Sequence, residues 1–465
     1  MPSRNPDRPT PPSGRELVVG TLSLLTVVVT TWGYAGRAAW APATFTTLSC
    51  LTAMAALALS HRELRTLKLA PFLPFLIFGA FVAISLLNPS HTPAAGRPGV
   101  WLERDDWIKW LPTTVDRSTT LQKILPWASA FLLTGALQIT TFSYRSSRLL
   151  WGGLVAHGAL VALVGIYFHV TTPYEILGLI RDRHGYHFSS FVYRNHWAAM
   201  VILLVPLSLG FSFSALRRWR QNRGHFDAIL AGFGIALLLA LTLPIPGTRS
   251  GIIVVSGILI FALIKLTLVI ARSRGTLDGM NKWVRILSLS AFFSAVLISG
   301  LALSKGSWAQ HWERTKRQIH GLSSGQSDIR VQFTRDTLRM AADRPVWGWG
   351  VGSLGIVFPL YQGNYLRDKN GQINARVIHS HNDWAQITAE TGVIGLLLFA
   401  GFIFVVIRRG IRSQSVLERW LTGGMVILLF YALVEFPLHN PAVLLTMAVL
   451  WSTVGRPKKI NFTAS

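Results

Sequence analysis

Apolar residues in this chain occur in blocks of about 20, the length of helix that crosses the hydrocarbon core of a bilayer. The blocks lie near residues 17–34, 42–60, 70–88, 124–142, 149–169, 195–215, 227–245, 250–270, 285–303, 391–407, 420–437 and 441–455. Of the 465 residues, 51% are hydrophobic and only 14% are charged. This pattern excludes a soluble globular protein and predicts an all-α integral membrane protein of about twelve transmembrane helices.

Lys and Arg cluster in every second connection between these blocks. They are Arg62, Arg65 and Lys68; Arg145 and Arg148; Arg217, Arg218, Arg220 and Arg223; Arg272, Arg274, Lys282 and Arg285; Arg408, Arg409 and Arg412; and Arg456, Lys458 and Lys459. Because basic residues beside a span resist translocation, these connections are predicted to be cytoplasmic. We therefore expect a multi-pass protein of the bacterial inner membrane, with both termini in the cytoplasm and the other loops in the periplasm.

The formal net charge of +25 raises the question of a nucleic-acid partner. Much of this charge belongs to the predicted cytoplasmic rim, where it would face anionic lipid headgroups. Membrane lipids are therefore expected partners, and nucleic acid is not. The single cysteine, Cys50, lies in the second apolar block and can form no intrachain disulfide.

The block pattern divides the chain into four segments. Residues 1–15 are predicted to be a disordered cytoplasmic tail, and residues 16–303 to carry transmembrane helices 1 to 9. Residues 304–390 are predicted to form a large, helical periplasmic loop. Residues 391–465 would then carry helices 10 to 12 and a short cytoplasmic tail.

Within the large loop, a helix is predicted from its N-cap Asp328 to about Ala342, with Pro345 marking its end. An apolar side of this helix is formed by Ile329, Phe333 and Met340. The stretch 347–355 that follows is predicted to be a flexible glycine-rich turn. It contains a formal G-x-G-x-x-G match, but no strand precedes it, so a dinucleotide site is not expected.

Two histidines, His379 and His381, stand at the end of this loop in an H-x-H arrangement. A neutral imidazole can take a proton from an attacking hydroxyl, and Asn382, Asp383 or Gln386 could hold its ring in the productive tautomer. The alternative is that the histidines only cap the helix that enters the membrane. A metal site is a third interpretation, but no Cys or close Glu completes a ligand set, so no metal is expected.

Several arginines lie in loops that are predicted to be periplasmic. Arg249 follows a very short turn, and Arg194 precedes the sixth block; each can contact a lipid phosphate or clamp a diphosphate with its planar guanidinium. Arg330, Arg335 and Arg339 lie on the predicted loop helix, where they are either solvated or turned toward a substrate. Arg335 and Arg339 are four residues apart and share one face.

A few ionisable residues fall inside apolar blocks, where burial of charge is costly. Lys265 can extend toward the cytoplasmic end of the eighth block, Glu435 lies close to the outer end of the eleventh, and His157 lies in the middle of the fifth. A proton path through them has no support in the sequence. Trp308, Trp312, Trp347 and Trp349 can stack on sugar rings or anchor the loop at the membrane interface.

Three motifs occur in the order seen in the O-antigen ligase and polymerase family, which the chain resembles over roughly residues 190–405. The motifs are Tyr193-Arg194-Asn195-His196, Thr248-Arg249-Ser250-Gly251 and His381-Asn382-Asp383-Trp384-Ala385-Gln386. Between them, Arg330, Arg335 and the stretch 343–352 are similar to the family's large periplasmic loop. Trp384-Ala385 departs from the pattern, because the family often has a larger aliphatic residue after the aromatic one. The first half of the chain matches only in hydropathy.

The resemblance implies a glycosyltransferase without metal or cofactor, whose donor is a glycan linked to undecaprenyl diphosphate. Arg249 and Arg194 would hold the diphosphate, with Arg330, Arg335 or Arg339 reaching from the loop. His381 would be the catalytic base, with His379 as its substitute and Asn382 beside it at the substrate. Attack opposite the leaving group would invert the anomeric carbon.

The acceptor stays open between another glycan, the lipid A core and a protein, which correspond to polymerase, ligase and protein-glycosylating members of the family. A transporter of polysaccharide or lipid-linked glycan is the alternative function, since it would have similar spans and a similar lipid-phosphate site. The large outer loop favours an enzyme.

Overall fold

The computed structural model describes residues 11–60, 73–94, 100–182, 185–221, 226–271, 329–366 and 376–455. In these ranges the chain is mainly α-helical. The helices are α1 Gly14–Trp32, α2 Ala41–Leu59, α3 Leu73–Leu87, α4 Arg117–Thr140, α5 Tyr144–Thr171, α6 Arg194–Trp219, α7 Asp227–Leu241, α8 Arg249–Ala271, α9 Ile329–Asp343, α10 Leu354–Val357, α11 Asp383–Ile411, α12 Val416–Tyr431 and α13 Pro441–Ser452. Two short antiparallel hairpins lie in the connections: β1 His91–Pro93 with β2 Trp101–Glu103, and β3 Glu175–Ile176 with β4 Ile180–Arg181.

Six helices in the described ranges are long and apolar enough to cross a membrane. They are Gly14–Trp32, Ala41–Leu59, Tyr144–Thr171, Arg194–Trp219, Arg249–Val269 and Asp383–Ile411, and shorter apolar helices cover Leu76–Leu87, Asp227–Leu241 and Pro441–Ser452. These findings confirm the prediction of an all-α membrane protein. The count of about twelve spans stays a prediction, because the ninth block, 285–303, lies outside the described residues.

Helix α6 forms the centre of the bundle. Its candidate span is 89% buried, so it is enclosed by other helices rather than by lipid. A helix that is apolar on every side is suited to such a position. Helices α5, α7, α8 and α12 pack around it. Because α6 begins at Arg194, the neighbouring helix ends converge on the first of the three family motifs.

The basic residues of the predicted cytoplasmic rim and the motif residues lie at opposite ends of the bundle. At one end, the Glu16 carboxylate accepts from the Ser143 amide, the Tyr144 and Ser415 hydroxyls lie 2.9 Å apart, and the Gly455 amide donates to Glu418 at 3.0 Å. The basic residues of the predicted cytoplasmic rim that the structure describes lie near this end, at the start of α5 and the ends of α6 and α11. The motif residues lie at the opposite end, which we call the site end. Arg62, Arg65, Lys68, Arg223, Arg272, Arg274, Lys282, Arg285, Arg456, Lys458 and Lys459 lie outside the described residues.

Helix α9 ends at Asp343, as the sequence predicted, while its predicted N-cap Asp328 lies outside the described residues. We call the described part of the large loop, residues 329–366 and 376–382, the cap. Phe333 and Met340 are 8% and 0% exposed and form part of its small hydrophobic core. Ile329 is 45% exposed, so its assignment to the apolar side was wrong. One turn of helix separates Ile329 from Phe333, and the cap core begins only at Phe333.

The glycine-rich turn is held firmly, and the prediction of a flexible turn was wrong. The amides of Trp349 and Gly350 donate to the carbonyls of Ala389 and Glu390, and the amide of Val393 donates to the carbonyl of Pro345. Gly348 has φ +70°, and a Cβ there would lie 2.5 Å from the backbone carbonyl carbon of Glu390 in α11. Backbone therefore packs directly on backbone between the turn and α11, which only glycine permits.

Candidate active site at the site end of the bundle

The Glu435 carboxylate lies at the centre of a polar cluster, in the turn after α12. It is only 1% exposed. Its Oε1 atom accepts from Arg330 Nη1 at 2.8 Å and from Asn195 Nδ2 at 2.5 Å, and its Oε2 atom accepts from the Tyr193 hydroxyl at 3.4 Å. His381 Nδ1 lies 3.6 Å from the same Oε2 atom. A buried carboxylate thus joins the cap helix, the start of α6 and the H-x-H motif. The sequence placed Glu435 near the outer end of a span but did not indicate this role.

An aromatic ring separates the two histidines of the motif. The Phe436 ring stacks on His379, with centroids 4.5 Å apart, and meets His381 edge-on at 4.9 Å. It also meets the His196 ring edge-on at 4.8 Å and stacks on Tyr193 at 5.3 Å. Phe436 therefore fixes the relative positions of the rings and keeps one side of the cluster apolar.

His381 adopts an unusual backbone conformation, with φ +56°. A residue other than glycine in this left-handed region costs about 1–3 kcal/mol and persists only where its surroundings impose it. The Ser380 hydroxyl donates to the Asn382 carbonyl at 2.6 Å across this turn. The turn brings the His381 side chain, 23% exposed, next to Glu435 and the Phe333 ring of the cap.

The helix that enters the membrane is capped by Asn382 and not by either histidine. The Oδ1 atom of Asn382 accepts from the Ala385 amide at 3.0 Å. This hydrogen bond engages the oxygen of a side chain that the sequence analysis assigned to substrate binding. The capping interpretation of the histidines was therefore wrong. Both rings are left for other contacts.

His379 is buried against Phe436 on the side away from Glu435. Burial lowers the pKa of its imidazole well below the usual value, and the nearby charges of His439, Lys123 and Arg37 add to this effect. Its Nδ1 atom has no hydrogen-bond partner within the described ranges. His379 is therefore a neutral ring in an apolar setting.

A second acid–histidine pair lies beside His379. His439 Nδ1 is 2.5 Å from Asp383 Oδ1, and the Leu438 amide donates to Asp383 Oδ2 at 2.7 Å. Burial disfavours the charged form of His439, but the Asp383 carboxylate outweighs it and raises the pKa of this histidine. The prediction that Asp383 orients His379 or His381 was wrong, because its carboxylate binds His439. The pair ties the start of α11 to the turn that carries Glu435.

The pair predicts a pH-dependent contribution to stability. A histidine whose pKa is raised on folding stabilises the fold at pH values below its unfolded pKa of about 6.5, and this contribution is lost as the pH rises through the folded pKa. We expect His439→Gln to lower the thermal midpoint of the protein in detergent most at about pH 6, and progressively less toward pH 9. A difference between wild type and variant that is constant over this range would contradict the assignment of a charged His439.

Of the arginines predicted to bind the diphosphate, Arg330 contacts Glu435, while Arg194 and Arg249 lie beside the cluster. Arg330 enters the cluster through Glu435. Arg194 Nη1 donates to the Pro246 carbonyl at 3.3 Å, and its guanidinium lies 4.7 Å above the Tyr186 ring. Arg249 begins α8 on the same turn, and the next residue, Ser250, has its hydroxyl 3.3 Å from that of Tyr431. The turn before α8 is thus held against α6 and α12, beside the cluster.

The other two cap arginines lie outside these contacts. Arg339 pairs with Asp336 at 3.1 Å. Asp336 also accepts from the Tyr365 hydroxyl at 2.6 Å and from the Gly363 amide, so this ion pair helps to hold the loop after α10. Arg335 is exposed on the same helix, which agrees with the solvated alternative.

Two basic residues near the cluster were missed by sequence reasoning. Arg37 lies between α1 and α2, and its charge acts on His196 and His379. Lys123, near the start of α4, acts on His379 and His439. Each lies at the site end, in a segment that the sequence places outside the cytoplasm. That departure from the positive-inside pattern is the signal that could have identified them.

The tryptophans proposed to stack on sugars make internal contacts. Trp349 is 9% exposed, its indole N–H donates to the Met340 carbonyl, and the Arg344 guanidinium lies 3.9 Å above its ring. The Trp347 indole donates to the Trp110 carbonyl. Trp308 and Trp312 lie outside the described residues. In the part of the chain that the structure covers, no three His, Cys, Asp or Glu side chains are grouped as metal ligands.

Comparison with known proteins identifies a family for part of the chain. Residues 234–400 match the family model described as O-antigen ligase. This range contains Arg249, Arg330, the glycine-rich turn and both histidines of the H-x-H motif. No curated protein matches the chain. The match confirms the resemblance seen in the sequence over residues 234–400, which are similar to the O-antigen ligase family.

Proposed function

We propose that the protein is a glycosyltransferase that moves a glycan from undecaprenyl diphosphate to an acceptor hydroxyl at the periplasmic face of the inner membrane. The observation that carries this proposal is the position of His381 beside the buried carboxylate of Glu435, which also binds the Arg330 guanidinium, at the bundle end opposite the basic rim. The family match supports activity of the O-antigen ligase or polymerase type.

The proposed reaction needs a base for the acceptor and cations for the leaving group. Since Nδ1 of His381 faces Glu435, its Nε2 atom is the nitrogen left to face an acceptor hydroxyl. The hydroxyl proton passes to Nε2 while the acceptor oxygen forms a bond to the anomeric carbon. Glu435 stabilises the imidazolium that results, as a carboxylate does in other acid–histidine pairs. His379 is the substitute base, but its buried ring and lowered pKa suit it less.

On the donor, the bond between the anomeric carbon and the diphosphate oxygen breaks, and its electron pair leaves with the diphosphate. Guanidinium groups stabilise this growing charge best when they are already in place. Arg194, Arg249 and Arg330 are assigned to this role, and Arg37 joins them because of its position. Arg335 stays a candidate from the exposed face of α9, while Arg339 and Asn382 are engaged in structural contacts. Attack opposite the leaving group inverts the anomeric carbon, and no step calls on a metal.

The test that separates a transferase from a transporter uses purified protein in proteoliposomes. Given a lipid-linked glycan and an acceptor, the protein is expected to form a glycosidic bond and release undecaprenyl diphosphate, with unchanged yield in the presence of a metal chelator. Mass spectrometry of the acceptor and the lipid measures both products. Movement of the glycan across the bilayer without bond formation would support the transporter instead.

A further inference from the structure

Helix α5 exposes a row of apolar side chains toward its end. Leu160, Leu163, Tyr167 and Val170 are each more than half exposed. Their spacing of three and four residues puts them on one face of the helix. Because α5 is long and apolar enough to cross a membrane, this face is expected to meet lipid.

Exposed apolar side chains continue past the end of α5 at Thr171, in the β3–β4 hairpin. Tyr174 lies just before β3 and is 64% exposed. Leu179 and Ile180, in the turn and at the start of β4, are 77% and 48% exposed. The reaction proposed above uses none of these side chains.

The hairpin packs against α5. Ile176 is buried, and a Cβ on Gly178 would lie 2.8 Å from the Phe168 ring. Phe168 meets the Tyr167 ring edge-on, with centroids 5.2 Å apart. The exposed hairpin residues therefore lie beside the exposed face of α5. We call Tyr167, Val170, Tyr174, Leu179 and Ile180 the hairpin surface.

The turn of the hairpin has an unusual composition for a turn in water. The Leu179 amide donates to the Ile176 carbonyl at 3.1 Å, and the two residues between them, Leu177 and Gly178, have φ +53° and +68°. Hairpin turns that are left-handed at both central positions usually carry Asn or Asp before the glycine. Leucine in that position, followed by the exposed Leu179, favours apolar surroundings for this turn.

The charged residues of the hairpin limit how deep it can lie. Glu175 and Arg181 are opposite each other in the register of the two strands. Charged side chains, and the unpaired backbone edges of a two-stranded ribbon, are costly in the hydrocarbon core. Exposed tyrosines such as Tyr167 and Tyr174 are typical of the layer between headgroups and acyl chains. The hairpin therefore fits this layer better than the core or bulk water.

Hydrogen bonds join the hairpin to the start of α6. The Asp182 amide donates to the Tyr174 carbonyl at 2.7 Å, and the Tyr186 amide donates to the Asp182 carboxylate at 2.9 Å. The Arg194 amide donates to the Tyr186 carbonyl at 2.7 Å, and the Arg194 guanidinium lies over the Tyr186 ring. The depth of the hairpin therefore affects the position of Arg194.

We propose that the hairpin surface docks on the bilayer, in the headgroup layer of the leaflet at the site end, with Leu179 and Ile180 against the first carbons of the acyl chains. The partner is bilayer phospholipid, because the surface continues the lipid-facing side of α5. Docking holds the Arg194 guanidinium near the level of the headgroups. The inference needs only the membrane-spanning helices and goes beyond the proposed function.

The experiment measures depth in the membrane with a nitroxide spin label. The full-length protein carries Cys50→Ser, so that each introduced cysteine is the single one, and is reconstituted in vesicles of phosphatidylethanolamine and phosphatidylglycerol. Leu163→Cys, Leu179→Cys and Leu360→Cys are labelled one at a time. Power-saturation EPR compares the collisions of each label with oxygen, which concentrates in the bilayer, and with a nickel chelate, which stays in water.

Leu360→Cys is the matched control. Leu360 is also a leucine, 79% exposed, but it lies on the cap. The ratio of oxygen to nickel collisions is expected to be highest for Leu163→Cys in α5, intermediate for Leu179→Cys and lowest for Leu360→Cys. Ile180→Cys provides a second hairpin position, with the same intermediate ratio, if the Leu179 variant does not fold.

A second arm removes the apolar tip. With the label at Tyr174→Cys, the double substitution Leu179→Asp and Ile180→Asp is expected to abolish the difference in collision ratio from Leu360→Cys, because two carboxylates move the hairpin into water. An unchanged ratio at this label would overturn the inference.

Two other results would also overturn it. A ratio for Leu179→Cys equal to that for Leu360→Cys would place the hairpin in water. Low collision rates with both reagents would show that a second copy of the chain or another protein covers the surface. Since no substrate is present, protein that fails to transfer glycan still decides this inference, so the two failures are distinguishable.

Discussion

Replacement of His381 by alanine is expected to lower the rate of glycan transfer by about 10²–10⁴-fold, the contribution typical of a positioned base. The physical reason is that the acceptor hydroxyl loses the imidazole that takes its proton, while the arginines and Glu435 stay in place. The rate is measured in proteoliposomes at saturating donor. In cells, the glycan profile of the envelope provides a second readout.

The cellular profile also distinguishes the members of the family. Loss of long chains, with single repeats still attached, would indicate a polymerase. Complete loss of attached glycan would indicate a ligase. His379→Ala is the companion variant, because this ring is buried against Phe436 and is expected to have the smaller effect. Unchanged transfer in His381→Ala at normal protein levels would remove the base assignment.

Replacement of Glu435 by glutamine is expected to lower kcat by about 10²–10⁴-fold, by analogy with the loss of the carboxylate in an acid–histidine pair. Glutamine keeps the size of the side chain but cannot stabilise an imidazolium at His381. Glu435 is a positioning residue, because it acts through His381 and Arg330. Its loss also frees the Arg330 guanidinium from an intramolecular ion pair 2.8 Å long.

This release predicts different effects on the two kinetic constants. The KM for the donor should stay constant or fall, because the diphosphate no longer competes with Glu435 for Arg330, while kcat falls. A merely structural role would lower the amount of folded protein and leave both constants of the folded fraction unchanged. Glu418→Gln is the matched control. It is also a buried glutamate, 6% exposed, but it lies at the opposite end of the bundle and should leave both constants unchanged.

The sequence predicted the helices more fully than the site. Apolar blocks report a helix wherever a span faces lipid, so most blocks coincide with helices in the described residues. Hydropathy failed at helix ends that are polar. Helix α4 begins at Arg117, after its N-cap Asp116, whereas the apolar block begins near residue 124. The apolar block at 420–437 continues past Tyr431, where α12 ends, so hydropathy did not indicate the turn that carries Glu435.

The candidate site was only partly predictable because its members are distant in sequence. Asn195 and Glu435 are 240 residues apart, yet their side chains are hydrogen bonded. Motif reasoning found His381, Arg194 and Arg330, since each lies in a segment that resembles the family. It missed His439, the partner of Asp383, because a pairing between two loop ends depends on how the helices pack. The run Glu435 to Pro441, rich in polar residues and proline between two apolar blocks, was the available signal.

The backbone hydrogen bonds between the glycine-rich turn and α11 have a consequence for how substrates reach the histidines. Residues 345–350 are hydrogen bonded through their backbone to residues 389–393 of α11. The cap and α11 therefore form one continuous unit and not two hinged parts. A chimaera that carries the cap of a relative on this bundle is expected to fold only if segments 345–350 and 389–393 both come from the same protein. For the same reason, these hydrogen bonds oppose lifting of the cap and favour entry of both substrates from the side, between helices or beneath the edge of the cap.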